Sequence, residues 1–541
     1  MADMQAIVEA NVAAMSGLEG YDVVIVCCSG EKQADYWQAR LTAVRGQVLP
    51  ASCKVLAVFE DWGGDGAGNG LGTLYAYQKA VVKAKDLYDG YDLHAELVAK
   101  RASAALYHTA GKGTRLAPLP GAENNNKPGV KLPAKLSVGG HDVPMTILEA
   151  VLKQTGVYAP MRKGRLSVFW GDQVFVPTVP VTAYTPTHHA DILCSLGPMP
   201  SAEEWEAKDL DKYGLIAVNS NEEAAQVEKV THATARELLG SFGDVTKVGV
   251  SLGSFSLSAS ILVALLEEFK VELEEKTAKL DTDPGLWMAF TLSKDAYMQL
   301  LEAKKTPVSQ SGPHFDRMQA MLARFRGREG GREGGMGLFG AVDIGQGAYW
   351  WDYGQLKLYF MNNISVTHTD EESRLYRAFL GVPSGRRVRA EMGEGVGVDE
   401  ESVLSAVQVK EGRIVKSVLT NVSAAHIEAE GAVLVNVTAR KVVAGKGAVL
   451  YNVVDDSEEG LVLGEEEVLV GVFDAEGKQQ RMESHLEKDG GVWWKKEIRP
   501  GQLTFEQVYL ANRDVDVALI ESKSQAAHAK LREALFAAKE V

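Results

Sequence analysis

"SAALYHTAGKGTRL", residues 103–116, sets a short apolar run directly against a turn rich in hydrogen-bond donors. Ala104–Tyr107 predict a buried strand, and the glycines at 111 and 113 predict a sharp turn at its end. Toward the N-terminus, "YDVVIVCCS" (21–29) and "CKVLAVFED" (53–61) are runs of the same kind. Strands that are apolar throughout, rather than at alternate positions, are buried on both faces, as in parallel sheets. Helical patterns, "EKQADYWQARLTAV" (31–44) and "LYAYQKAVVKAKDLY" (74–88), fall between these runs, and the alternation predicts an α/β fold. Further strands are expected in "GRLSVFWGDQVFVP" (164–177), "GLIAVNS" (214–220) and "VTKVGVSLGSFSLS" (245–258). A long helix is expected over 258–280, and a strand and turn in "GAYWWDYGQLKLYF" (347–360). Ligands of such sheets bind at the carboxyl ends of strands. Two glycine-rich loops, "WGGDGAGNGLGT" (62–73) and the one at 111–113, follow predicted strands and so belong on one edge.

Beyond residue 400 the pattern changes. Val418-Leu-Thr-Asn-Val, Val433-Leu-Val-Asn-Val and Val449-Leu-Tyr-Asn-Val place asparagines 421, 436 and 452 at spacings of 15 and 16. Short β-branched runs at a fixed period predict stacked coils of a β-solenoid, with asparagines laddered at the corners. "RFRGREGGREGGMG" (324–337) has nothing to bury and is expected to be a mobile loop. The chain ends in an amphipathic helical pattern, "SKSQAAHAKLREALFAAKE". The organisation expected is a first domain over 1–365, a linker over 366–400, the solenoid over 401–500 and a tail over 501–541.

The 541 residues are 46% apolar and 24% charged, ordinary values for a chain with a large core. A net charge of -15 argues against a broad nucleic-acid surface, which requires a basic face. No run reaches the roughly 18 apolar residues of a membrane span. "MADMQAIVEANVAAM" carries acids and no arginine, unlike a secretory signal or transit peptide, so a cytoplasmic location is expected. Cys27, Cys28, Cys53 and Cys194 form no CxxC pair and are expected as buried thiols.

Within "AGKGTRL" the backbone of Ala110, Gly111, Lys112, Gly113 and Thr114 can turn amides toward a polyphosphate, and Arg115 adds a fixed charge. The Walker loop is excluded, because Lys112 is followed by glycine and no glycine stands five residues before Gly111. Lys127 of "NKP" and Lys131 of "VKLP" compete as a further phosphate ligand. In the earlier loop, Gly68, Gly70, Gly72 and Thr73 are candidates for nucleotide contact.

G-x-G-T-R-L followed by a lysine–proline pair resembles the signature of sugar-1-phosphate nucleotidylyltransferases. Other landmarks of that family follow in order: "WGDQVF", "KYGLIAV", "QVEKV" and "YWWDYGQLKLYF". The resemblance spans residues 100–365. It implies a Rossmann-like, GT-A-like mixed sheet followed by a left-handed type of β-helix. It places Asp172 and Asp352 at Mg2+, and Tyr213, Gly214, Glu228 and Lys229 at the sugar phosphate. Arg115 and Lys127 or Lys131 fall at the triphosphate, and Lys127 is preferred because inversion of the proline–lysine pair recurs in the superfamily. The signature usually opens the chain, whereas here about 100 residues and a second Gly-Thr loop precede it. That layout is nearer to fucose-1-phosphate guanylyltransferases, and Gln355 is similar to the mannose-1-phosphate enzymes, so both favour guanine.

The resemblance therefore implies transfer of a nucleotidyl group from a nucleoside triphosphate to a sugar-1-phosphate, with loss of pyrophosphate. A UTP- or ATP-dependent hexose-1-phosphate enzyme is the alternative. A catalytically silent homologue that binds a sugar nucleotide and regulates a partner is the alternative of another class. The coils carry no acid–base cluster, so they and the C-terminal helix are expected to serve homo-oligomerisation. Truncation near residue 400 is then expected to leave nucleotide binding partly intact.

Overall fold

Strand β1 (Val23–Cys28) sends alternate side chains into two different cores. Val24, Val26 and Cys28 pack with the helix Glu31–Ala43 on one side, and Val23, Ile25 and Cys27 with the helix Gly68–Leu87 on the other. That two-sided burial is why the run contains no polar position. The computed structural model describes residues 2–64, 66–138, 140–240, 242–303, 308–328 and 335–537. The strands that follow are β2 (Lys54–Phe59), β3 (Ala104–His108), the hairpin β4 (Lys131–Val138) and β5 (His141–Thr146), β6 (Arg165–Trp170) and β7 (Gln173–Val176). Then come β8 (His188–Pro198), β9 (Gly214–Asn219), β10 (Ala224–Glu228), β11 (Val245–Ser258), β12 (Gly337–Asp343) and β13 (Tyr349–Asp352).

The main sheet runs β10-β9-β11-β6-β3-β1-β2, with β8 paired to β11 and β12 to β8. Strands β2, β1, β3 and β6 are mutually parallel. The long β11 runs antiparallel to β6, β8 and β9, so the sheet is mixed. The carboxyl ends of β2, β1, β3 and β6 share one edge, where the loops after β2, β3 and β6 gather.

A second sheet is made of β14 (Arg387–Val398), β15 (Val403–Val415), β16 (Val418–Glu430), β17 (Val433–Ala444), β18 (Val449–Asp455), β19 (Leu461–Leu463), β20 (Glu467–Phe473) and β21 (Gln479–His485). All its pairings are parallel except β20–β21. The repeated phrase sets the register: Val418, Val433 and Val449 stand side by side. Asn421, Asn436 and Asn452 adopt φ of 54°, 51° and 57°, a left-handed bend that asparagine tolerates better than most residues. Asn421 Nδ2 donates to Asn436 Oδ1 at 2.8 Å, one rung of the expected ladder, whereas Asn452 instead donates to the Gly471 carbonyl at 3.2 Å and accepts from Ser524 Oγ at 2.9 Å.

Several sequence expectations change. Residues 366–400 are not a bare linker: they hold the helix Glu371–Leu380, whose Tyr376 ring lies 4.3 Å from Trp351, and the strand β14. Val403, Val418, Val433, Val449 and Tyr451 share the apolar core of β1 and β13, so the second sheet is built onto the first region. The helix after the first glycine-rich loop starts at Gly68, inside the segment read as loop. The long helix over 258–280 is two helices, Ala259–Glu268 and Lys270–Glu275. Within 324–337, Arg324–Arg328 continue the helix Val308–Arg328, and residues 329–334 lie outside the described residues. The C-terminal helix Val517–Phe536 buries Val517, Ile520, Leu531 and Leu535, and Arg532 donates to Ser423 and Asn421 of β16, so its apolar face is used within the chain. All four cysteines are free and buried, and burial pushes the Cys28 and Cys53 thiols up to about 12. Among the described residues, no helix is long and apolar enough to cross a membrane.

Candidate functional site

Where β3 ends, Gly111 and Gly113 turn the chain with φ of 135° and 60°. Gly113 has a second reason to lack a side chain. Its Cβ would stand 3.1 Å from the Cβ of Lys127, whose chain crosses the loop at that point. Lys127 Nζ then forms an ion pair with Asp172 Oδ2 at the end of β6. The cleft between these loops has a volume of about 340 Å3 and is lined by His108, Ala110, Lys127, Trp170, Gly171 and Asp172, among others. Arg115 and Lys112 are exposed on the same loop.

Asp352 arrives from far along the chain. Strand β13 pairs antiparallel with β7, which places Asp352 opposite Gln173, next to Asp172. The N–H of Tyr353 donates to the Asp172 carbonyl at 3.1 Å and fixes the register. A Cβ on Gly354 would stand 2.9 Å from Asp352 Oδ1 and 3.3 Å from Asp172 Oδ2, so both carboxylates converge over one glycine. Burial, helped by the Asp172 charge, raises the Asp352 carboxyl above its ordinary range. The Gly354 N–H, 2.6 Å from Oδ1, and the charges of Lys127 and Arg115 act the other way. The four residues thus share one electrostatic neighbourhood.

Among the described residues, no three His, Cys, Asp or Glu side chains form a metal cage. Two converging carboxylates still suit Mg2+, which commonly takes one or two carboxylates and fills its shell with phosphate oxygens and water.

The remaining candidates divide. Lys131 stands apart from the cleft. Its buried Nζ pairs with Glu123 at 2.9 Å and Glu521 at 3.5 Å, and its backbone bonds Tyr451 and Tyr359, which ties the first region to the second sheet and the C-terminal helix. Gly68 and Gly70 pack against the Leu280 carbonyl, Gly70 N donating to it at 2.8 Å. Gly72 faces Glu60, and Thr73 Oγ1 lies 2.8 Å from His108 Nε2, so only the last two residues of that motif reach the cleft wall. Tyr213, Gly214, Glu228 and Lys229 form the mouth of the β9–β10 hairpin, where Lys229 N donates to the Tyr213 carbonyl at 2.9 Å. Gly214 neighbours Ser251, and Gly253 packs under the Trp170 indole, which sets this mouth on the same edge as the cleft.

Sequence reasoning passed over His108 and Trp170. Their rings lie 5.4 Å apart on the cleft wall, and burial holds the His108 imidazole down at about 4, hence neutral. The available signal was position: each is the last residue of a strand feeding a candidate loop. No protein-family model matches the chain, and no curated protein matches it.

Proposed function

We propose that the chain is a sugar-1-phosphate nucleotidylyltransferase with guanine as its preferred base, its mixed sheet a nucleotidyltransferase core and its second sheet a β-solenoid. The observation that supports this most is the meeting of Asp172 and Asp352, 180 residues apart in sequence, beside Lys127 and Arg115. The sugar phosphate oxygen attacks the α-phosphorus of the triphosphate; the new P–O bond forms as the bond to pyrophosphate breaks. The attacking oxygen is already ionised near neutral pH, so the chain need not supply a general base. The barrier lies in bringing two anions together and in the charge that builds on the leaving pyrophosphate.

Asp172 and Asp352 would hold Mg2+, which supplies charge neutralisation between the two reactants. The chain's own groups do the rest by position and charge. The loop amides of Ala110–Thr114 face the phosphates, and Arg115 and Lys127 draw charge from the triphosphate and the pyrophosphate. Lys229, on the hairpin mouth, holds the sugar phosphate. The neutral His108 and the Trp170 ring offer a flat wall without adding charge.

The test is pyrophosphate release with Mg2+, a panel of sugar-1-phosphates and each of GTP, UTP, ATP and CTP. Thermal shifts with the same nucleotides identify the base, since ligand at 100 times its Kd stabilises by about 2.7 kcal/mol. Release above background with one base supports the proposal. A thermal shift without release from any pair would instead support the silent homologue.

A further inference from the structure

We infer that residues Glu487–Trp494, which follow the second sheet, act as a clasp that sets the position of Arg115 and joins the arginine loop to the Asp352 turn. The inference deepens the proposed nucleotidyl transfer and rests on it for the role of Arg115.

The contacts of this segment lie on both halves of the cleft. Gly490 is pressed against the Thr114 carbonyl: a Cβ there would stand 2.4 Å from the oxygen and 3.0 Å from Trp494 Cε3. The Arg115 stem passes 3.7 Å from the Cβ position of Gly491. Glu487 forms an ion pair with Lys357, in the helix Leu356–Ser365 that begins two residues after Gly354. One short segment therefore holds the loop that carries Arg115 and reaches the helix after the Asp352 turn, whose Asn362 Nδ2 donates to the Asp352 carbonyl at 2.8 Å.

The clasp is itself fixed. Leu486 N donates to the Glu466 carbonyl at 3.0 Å, and the Asp489 carboxylate accepts from Gly491 N at 2.7 Å. Behind the loop, Asn125 Nδ2 donates to the Tyr509 carbonyl at 2.7 Å and Asn512 Nδ2 to the Gly121 carbonyl at 2.8 Å. Trp494, Phe505 and Val508 close on Gly113, Ala117 and Pro118 around a void of only about 20 Å3. Arg115 is exposed, and the loop that carries it turns through two positive-φ glycines. The clasp supplies a restraint.

The experiment uses the full chain with Gly490→Ala and, separately, Glu487→Gln. Two readouts are taken: trypsin cleavage after Lys112 and Arg115 without ligand, and steady-state kinetics with both substrates. Gly490→Ala should raise cleavage about tenfold or more through loop opening. It should lower kcat and raise KM for the triphosphate, while KM for the sugar phosphate stays unchanged, because the contacts of the clasp named above lie on the arginine loop and the helix Leu356–Ser365. A drop in thermal midpoint with both KM values shifted together would mean general damage and overturn the clasp. So would unchanged cleavage with unchanged triphosphate kinetics. If Gly490→Ala does not fold, Glu487→Gln, which removes only an exposed ion pair, must show a smaller rise in cleavage; no rise overturns the inference. If the unmodified chain transfers no nucleotidyl group, the proposed reaction fails, but the cleavage comparison still decides the clasp.

Discussion

An Asp352 carboxyl raised by burial and by Asp172 is favoured in its neutral form by the folded chain. Its contribution to stability is full at acid pH and is lost as pH rises through the raised value. Asp352→Asn should therefore stabilise the ligand-free chain at neutral pH, and the advantage should vanish in acid, where both side chains are uncharged. Thermal midpoints across pH without divalent ions measure this, and a wild-type chain more stable at neutral pH would refute it. The same substitution should lower turnover roughly a thousandfold or more, since several kcal/mol of transition-state stabilisation go with it, while nucleotide affinity changes little. The two lysines separate differently. Lys127→Ala should abolish most turnover and leave unfolding nearly unchanged. Lys131→Ala leaves Glu123 buried without its cation, which costs about 3–5 kcal/mol, and its effect should appear in denaturant midpoint rather than in turnover per folded molecule. Sequence alone left these lysines in competition, because both follow the arginine loop and only the path of the intervening chain decides which one points to the cleft.

The β7–β13 ribbon shows what could be read along the chain and what could not. "WGDQVF" and "YWWDYGQ" were each visible as a strand ending at an aspartate, and the strand–loop alternation placed the first of them on the correct edge. The pairing itself was not legible, because a register between residues 173 and 352 is set by tertiary packing and leaves no local periodicity. The glycine-rich loop erred the other way. "GAGNGLGT" has turn composition, yet from Gly68 it is helix, because small residues let that helix pack against the Leu280 carbonyl. The asparagine repeat was the clearest signal, since one residue type serves the bend at all three positions and a side-chain rung between Asn421 and Asn436. For Asn436, the two parts can be separated. Glycine and alanine both remove the ladder bond, but only alanine pays for the left-handed bend, by about 1–2 kcal/mol. Asn436→Gly should therefore unfold at a higher denaturant concentration than Asn436→Ala, and equal midpoints would mean the strain of the bend does not exceed the extra chain entropy that glycine loses on folding.

Across the whole molecule, the second sheet is part of the body that carries the cleft. Valines of β15–β18 and β20 complete the core behind β13, and Tyr451 and Glu521 hold Lys131. Truncation near residue 400, expected from sequence to leave nucleotide binding partly intact, should instead expose that core and yield an aggregated chain without triphosphate binding. A soluble 1–400 fragment that binds nucleotide would refute this. The period of 15 and 16 residues revealed the stacked strands, but it carried no sign of the surface they pack against, because outward and inward valines look alike in sequence. The contact of Gly490 with Thr114 also has a bearing on how the protein is made. Arg115 leaves the ribosome long before its restraint does: at 5–20 residues per second the 375 intervening residues take roughly 20 to 75 s. A nascent chain would thus carry Arg115 and Asp172 without this restraint until residues 487–494 had emerged and packed on the arginine loop.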